Sequence, residues 1–119
     1  MHNKNLTSVI DHIKKFRRER DWEKFHNPKD LAEAITVEAS ELLELFLWMD
    51  KNEAHDFVKN PKNKKEIIGE IADIFAYLLF LAEDLGVDLE KAVFDKYEEN
   101  AIRYPVEKSK GKATKYTKL

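Results

Sequence analysis

Apolar residues recur along most of this chain every three or four positions, the period of one helix face. Val9, Ile10, Ile13 and Phe16 give such a stripe and predict a first helix over residues 6–21. Trp22-Glu23-Lys24-Phe25-His26 reads as a loop. Asn27-Pro28 then signals a new start: Asn as N-cap, Pro at the first helical position, and Asp30 in the first turn to suit the dipole. The pattern carries this second helix to about residue 49. A polar connection over 50–65, with Asn60-Pro61 inside it, leads to a third helix over 63–85 that stops at Gly86. Asp88 caps a fourth, which ends at Tyr104 because Pro105 disfavours helix in the residue before it. The expected fold class is all-α, an antiparallel helical bundle of about four main helices. Residues 1–105 form the helical domain, and 106–119 a lysine-rich tail, loose by itself. No repeat of the chain is visible.

The second and third helices break the usual rule that charges avoid the apolar side. At 3.6 residues per turn, Ala34, Glu38, Glu41, Leu45 and Trp48 share one narrow stripe, flanked by Leu31, Ile35, Leu42 and Met49. Glu70, Asp73, Tyr77 and Asp84 form another, bordered by Ile67, Ile74, Leu78 and Leu81. Glu38-Ala39-Ser40-Glu41 and Glu70-Ile71-Ala72-Asp73 are thus two carboxylate pairs at a spacing of three, each within apolar surroundings. Either pair alone would read as a solvated face. Four buried carboxylates need a compensating cation, and neither stripe contains Lys or Arg. Oxygen ligands of this kind suit a hard divalent ion, most naturally Mg2+. The opposite side of the third helix carries Phe75, Leu79 and Ala82, and Leu43 and Leu47 lie away from the acids on the second. A helix apolar on nearly all sides is covered on nearly all sides, which predicts completion of the bundle by a second subunit.

Composition narrows the partners. The chain has 119 residues, 43% hydrophobic and 37% charged, with few Gly and Pro, as fits one small helical domain. A net charge of −2 argues against a nucleic acid polymer as partner. With no cysteine there is no disulfide, thiolate zinc site or cysteine nucleophile, which suits a cytoplasmic setting. The polar start Met1-His2-Asn3-Lys4-Asn5 lacks an apolar signal core, and the longest nearly uncharged run, residues 71–82, is too short to span a bilayer, so no membrane is expected.

Two further groups carry candidate chemistry. Lys96, Asn100 and Arg103 share a face of the fourth helix; the cations suit phosphate oxygens and the amide suits a donor–acceptor edge. Trp22, His26, Trp48 and Tyr77 lie near the ends or centre of the acidic helices, where flat rings could sandwich a nucleobase or simply fill a core. Glu23-Lys24-Phe25-His26 also has the Glu-x-x-His spacing of di-iron bundles, but it occurs once and no acidic helix has a matching His.

These strings together resemble the MazG-like all-α nucleoside triphosphate pyrophosphohydrolases, and most closely their dCTP pyrophosphatase branch. The resemblance rests on the two acidic motifs and on Trp22-Glu23-Lys24-Phe25-His26, Val87-Asp88-Leu89, Lys96 with Asn100, Arg103-Tyr104-Pro105 and Lys115-Tyr116-Thr117, and so spans almost the whole chain. It implies a homodimer or homotetramer in which Glu38, Glu41, Glu70 and Asp73 bind Mg2+. It implies further that Trp22, His26, Trp48, Tyr77 and Asn100 line the nucleoside pocket, with Lys96 and Arg103 near phosphate. The chain departs from the family at Ala39, where a second glutamate is common, and at Ile13, where the branch can carry a pocket histidine; the adjacent His12 faces another way.

The expected reaction is hydrolysis of dCTP or a modified dCTP between the α and β phosphorus atoms, giving the monophosphate and pyrophosphate. Glu41 and Glu38 are the candidate catalytic residues, Glu41 first as the base that holds the water. Such an activity would cleanse the nucleotide pool. Two other classes stand beside it. A non-catalytic helical interaction protein would show no thermal shift with Mg2+, and a carboxylate-bridged redox metal protein would carry iron or manganese with visible absorbance.

Overall fold

Asn5 opens the first helix by a reciprocal cap: its Oδ1 accepts from the Ser8 N–H at 2.8 Å, while Ser8 Oγ accepts from the Asn5 N–H at 3.0 Å. A computed structural model describes residues 5–119; the polar residues 1–4 of the expected non-signal start lie outside the described residues. Among the described residues every regular element is helical: α1 (Leu6–Glu19), α2 (Pro28–Glu44), α3 (Lys51–Phe57), α4 (Pro61–Asp84), α5 (Leu89–Arg103) and α6 (Val106–Ser109), with 3-10 turns at Glu23–Phe25 and Tyr116–Lys118. The all-α expectation holds. The chain divides into two compact units, the first ending at Leu85 and the second running from Gly86 to Leu119.

In the first unit α2 packs along α4, and α1 also touches α4. Leu31 of α2 and Leu79 of α4 are each 1% exposed, and Phe80 and Ala82 complete the buried apolar set among the described residues. The starts follow the expected local chemistry. Asn27 Oδ1 accepts from the Asp30 N–H at 2.9 Å ahead of Pro28. Asn60 caps α4 through the Lys62 N–H with Pro61 next, so α4 begins two residues earlier than expected. Gly86 follows α4 with φ +67°, the left-handed conformation that glycine adopts freely.

The second helix ends earlier than its pattern predicts, short of residue 49. It stops at Glu44; residues 46, 47 and 49 then bond back three positions, to Leu43, Glu44 and Phe46. Trp48 adopts φ +64°, and Asp50 caps α3 by accepting from the Glu53 N–H at 2.8 Å. The Phe46 and Phe57 rings meet at 5.5 Å across this turn. Trp48 therefore leaves the helical stripe that holds Glu38 and Glu41. The expected polar connection in turn holds the helix α3, and its last residues, from Pro61 on, belong to α4.

The end of α1 shapes the wall of a cavity. The Trp22 N–H bonds to the Arg17 carbonyl and the Asp21 N–H to the Arg18 carbonyl, both at 3.1 Å, and Asp21 takes φ +53°. This is a Schellman closure with Asp in the glycine place, and the usual apolar clasp is present as Trp22 edge-on to Phe16 at 5.6 Å. The closure fixes Trp22 and turns Arg17 inward.

In the second unit, Asp88 caps α5 through the Lys91 N–H. No residue of α5 is buried. Tyr116 of the second 3-10 turn lies edge-on to Tyr104 at 5.8 Å, under the Arg103 guanidinium at 5.0 Å.

Candidate active site

The packing of α2 on α4 brings Glu38, Glu41 and Glu70 together, with one carboxylate oxygen of each within 4.8 Å of the others. Glu38 and Glu70 are half-buried and Glu41 is exposed. No Lys or Arg ion-pairs with any of them among the described residues, and Glu70 Oε2 is buried without a hydrogen-bond partner. Two carboxylates can share a hydrogen bond only if one is protonated. That sharing with Glu70 comes first in pushing the Glu38 carboxyl up to about 7, followed by burial and the charges of Glu41 and Glu70. The site thus lacks one or more positive charges. An orphaned buried oxygen and an all-carboxylate donor set fit a hard divalent cation.

Asp73 does not join that trio. It is exposed, one turn beyond Glu70 on α4, and it lines a neighbouring cavity of about 310 Å3 together with Ile13, Phe16, Arg17, Trp22, His26, Ala76, Tyr77 and Phe80. Tyr77 connects the two places: burial raises its phenol pKa first, and the charges of Glu38, Asp73 and Glu41 add to it. The cavity is aromatic on several sides. His26 lies 5.2 Å from the Phe80 ring and 6.3 Å from Tyr77. Ile13, at the position where the resemblance expected a histidine in some relatives, does face this cavity. A largely apolar pocket beside a cluster of uncompensated carboxylates is an arrangement suited to a ligand with a flat apolar part and a cation-bound charged part.

Three of the other expected site residues, Lys96, Asn100 and Arg103, belong to the second unit. Trp48 is 92% exposed and does not line the cavity. On α5, Lys96 and Arg103 pair with Glu99 at 3.7 and 2.7 Å, and Asn100 is half-buried beside Tyr97 and Tyr104. His26 stands in the aromatic cavity and not with the carboxylates, so its Glu-x-x-His spacing assembles no di-iron ligand set among the described residues.

Two residues of this region escape a reading of the sequence for chemistry. Arg17, 6% exposed, pairs with Asp84 at 3.0 Å and touches His26. Asp84 falls in the acidic stripe of α4, which holds no cation of its own; the cation comes from α1, 67 residues away. The only signal available was a cluster of three arginines, Arg17, Arg18 and Arg20, at the end of an amphipathic helix, too general to single out one of them.

The chain has relatives among known proteins. A model of the MazG-like family matches residues 34–119. The chain is 43% identical over 104 residues to dCTP pyrophosphatase 1 of Rattus norvegicus and 38% identical over 104 residues to that of Homo sapiens. Each match covers 87% of this chain and 61% of the relative, so the chain spans about three-fifths of the length of these curated relatives. A crystal structure of a pyrophosphatase from Archaeoglobus fulgidus is similar with a TM-score of 0.81 and 37% identity, covering 88% of this chain and 96% of that one.

Proposed function

We propose a function from the premise that this chain belongs to the MazG-like family: it hydrolyses nucleoside triphosphates between the α and β phosphorus atoms, with dCTP or a modified dCTP as substrate and Mg2+ as the resident ion. The observation that carries the proposal is the uncompensated trio Glu38, Glu41 and Glu70, within 4.8 Å of one another and beside an aromatic cavity. Relatives named dCTP pyrophosphatase 1 support the choice of base.

In this reading Glu38, Glu41 and Glu70 hold the ion, with Asp73 completing the set from the cavity side. The ion, when bound, supplies positive charge to the triphosphate and lowers the pKa of a water. Glu41, the exposed member of the trio, accepts the proton of the attacking water, and Glu38 holds its position. Trp22, His26 and Tyr77 enclose the base and orient the substrate so that the α phosphorus meets that water. The roles of Trp48 and Asn100 at the base and of Lys96 and Arg103 at phosphate rest on the family resemblance alone.

The proposal extends to a homodimer or homotetramer. Val37, Leu43, Leu47, Ile68, Ile71, Phe75 and Leu78 leave an exposed apolar surface on the first unit, as an unassembled subunit does. No helix among the described residues is long and apolar enough to cross a membrane. The cytoplasmic setting is part of the proposal and rests on the cysteine-free sequence.

A panel of deoxynucleoside triphosphates, incubated with the chain and magnesium chloride and scored for pyrophosphate, tests the reading. Pyrophosphate and dCMP from dCTP are expected. Orthophosphate alone, or no turnover with any member of the panel, contradicts it.

A further inference from the structure

Arg17 is the one buried charged residue among those described, and the acidic site makes no use of it. Its guanidinium forks onto Asp84, Nη2 to Oδ1 at 3.0 Å and Nη1 to Oδ2 at 3.1 Å, and lies 4.6 Å from the Phe80 ring centroid. A planar fork held this way has a fixed orientation. The same Nη1 stands 3.4 Å from Nδ1 of His26. A guanidinium has donors only, so Nδ1 has to present its lone pair to it. In neutral imidazole the ring proton then sits on Nε2. The neutral form is itself favoured, because burial first and the Arg17 charge second lower the His26 pKa, against a smaller opposing effect of Asp84. Nε2 has no hydrogen-bond partner among the described residues, and His26 forms part of the cavity wall.

We infer that Arg17 is a positioning residue that locks His26 in the Nε2–H tautomer, so that the cavity offers its ligand a hydrogen-bond donor, matched to a lone-pair acceptor such as the ring carbonyl of a pyrimidine base. The inference rests on the reading of the cavity as a base pocket. Its consequence is selectivity. The other tautomer would set a nitrogen lone pair against the carbonyl, and a site that leaves a polar pair unmatched rejects the ligand. Asp84 acts one step further out, by holding the guanidinium plane.

Long-range proton–nitrogen correlation spectra of the 15N-labelled full chain read the tautomer directly. The wild type is expected to show a protonated Nε2 and an unprotonated Nδ1. Asp84→Asn keeps Arg17 and is expected to retain that pattern. The double variant Arg17→Met with Asp84→Asn removes both charges together, so that neither is left alone, and is expected to shift His26 to a mixture or to the Nδ1–H form. Titration with dCMP in the presence of magnesium chloride should move the wild-type Nε2 resonance, and the double variant should raise KM for dCTP about tenfold with a smaller change in kcat. A wild-type His26 that is mixed or protonated on Nδ1 overturns the inference, as does a double variant that keeps the Nε2–H form or an Nε2 resonance that dCMP leaves unmoved. Absence of pyrophosphate release across the substrate panel would count against the pyrophosphohydrolase reading while leaving the tautomer assignment in place.

Discussion

The acids of α2 and α4 and the polar stripe of α5 have the same helical spacings, three and four residues, yet their surroundings give them opposite characters. On α5, Glu99 answers both Lys96 and Arg103, about half of each glutamate and lysine side chain is exposed, and no residue of the helix is buried. On α2 and α4, Glu38, Glu41 and Glu70 face one another with no cation, and one oxygen is buried without a partner. Spacing brings side chains to one face in both cases. Only the second case leaves a charge imbalance that something from outside has to correct. Unmet charge, more than the motif, distinguishes a site from a surface.

Changing each region separately should make that contrast measurable. The largest effect is expected for Glu38→Gln and Glu41→Gln, which should each lower pyrophosphate release by at least about a hundredfold, since each removes an ion ligand. The metal-free Glu38→Gln protein should at the same time melt no lower than the wild type, because the change relieves crowding of like charges. Steady-state kinetics and a melting curve on the same preparation check both halves; a variant that is inactive because it is unfolded contradicts the account.

Next in size is the ion pair that α1 supplies to α4. Asp84→Ala leaves the buried Arg17 guanidinium without its partner and should cost about 2–3 kcal/mol, discounted from a fully buried pair because the Asp84 side chain is 30% exposed. Urea unfolding measures it, and a loss below about 0.5 kcal/mol would show the pair to be a surface contact.

The third prediction concerns pH. The Glu38 carboxyl is held up at about 7 in the fold, so between its ordinary value and that point the native state carries the extra proton. Its stabilising share is complete below the ordinary value and is lost as pH rises through about 7. His26, whose pKa is lowered, acts in the opposite direction, so the wild type alone does not isolate the effect. The difference in Tm between metal-free Glu38→Gln and wild type should therefore be larger at about pH 8 than at about pH 5. Magnesium chloride should raise the wild-type Tm more at the higher pH, where the ligand is deprotonated. A difference that shrinks with pH has the wrong sign.

The smallest effect belongs to α5. Glu99→Gln removes two exposed pairings and should change stability by no more than about 0.5 kcal/mol. A loss comparable to that of Asp84→Ala would erase the distinction between the two regions.

How much of this the sequence could disclose depended on the range of the forces involved. Helix starts at Asn27-Pro28 and Asp88 and the stop at Gly86 are set within a few residues, and they were legible. The grouping of Glu38 and Glu41 with Glu70 was legible as well, because helical spacing inside an apolar run forces the acids toward a neighbour. The end of α2 was not. Its apolar period continues to Trp48, and the turn that breaks it is held by Phe46 against Phe57 of another helix and by a left-handed Trp48. Asp73 shares its stripe with Glu70 but opens onto the aromatic cavity, a difference of one turn that periodicity does not resolve. Arg17 and Asp84 are 67 residues apart, and nothing local marks either as the other's partner.

Counting bound divalent ions shows whether Glu38, Glu41 and Glu70 hold a cation together. Equilibrium dialysis of manganese against the full chain at about pH 8, with wild type and Glu38→Gln side by side, should show saturable binding that the variant loses and that magnesium displaces. Equal binding by the two proteins, or none by the wild type, would contradict the account.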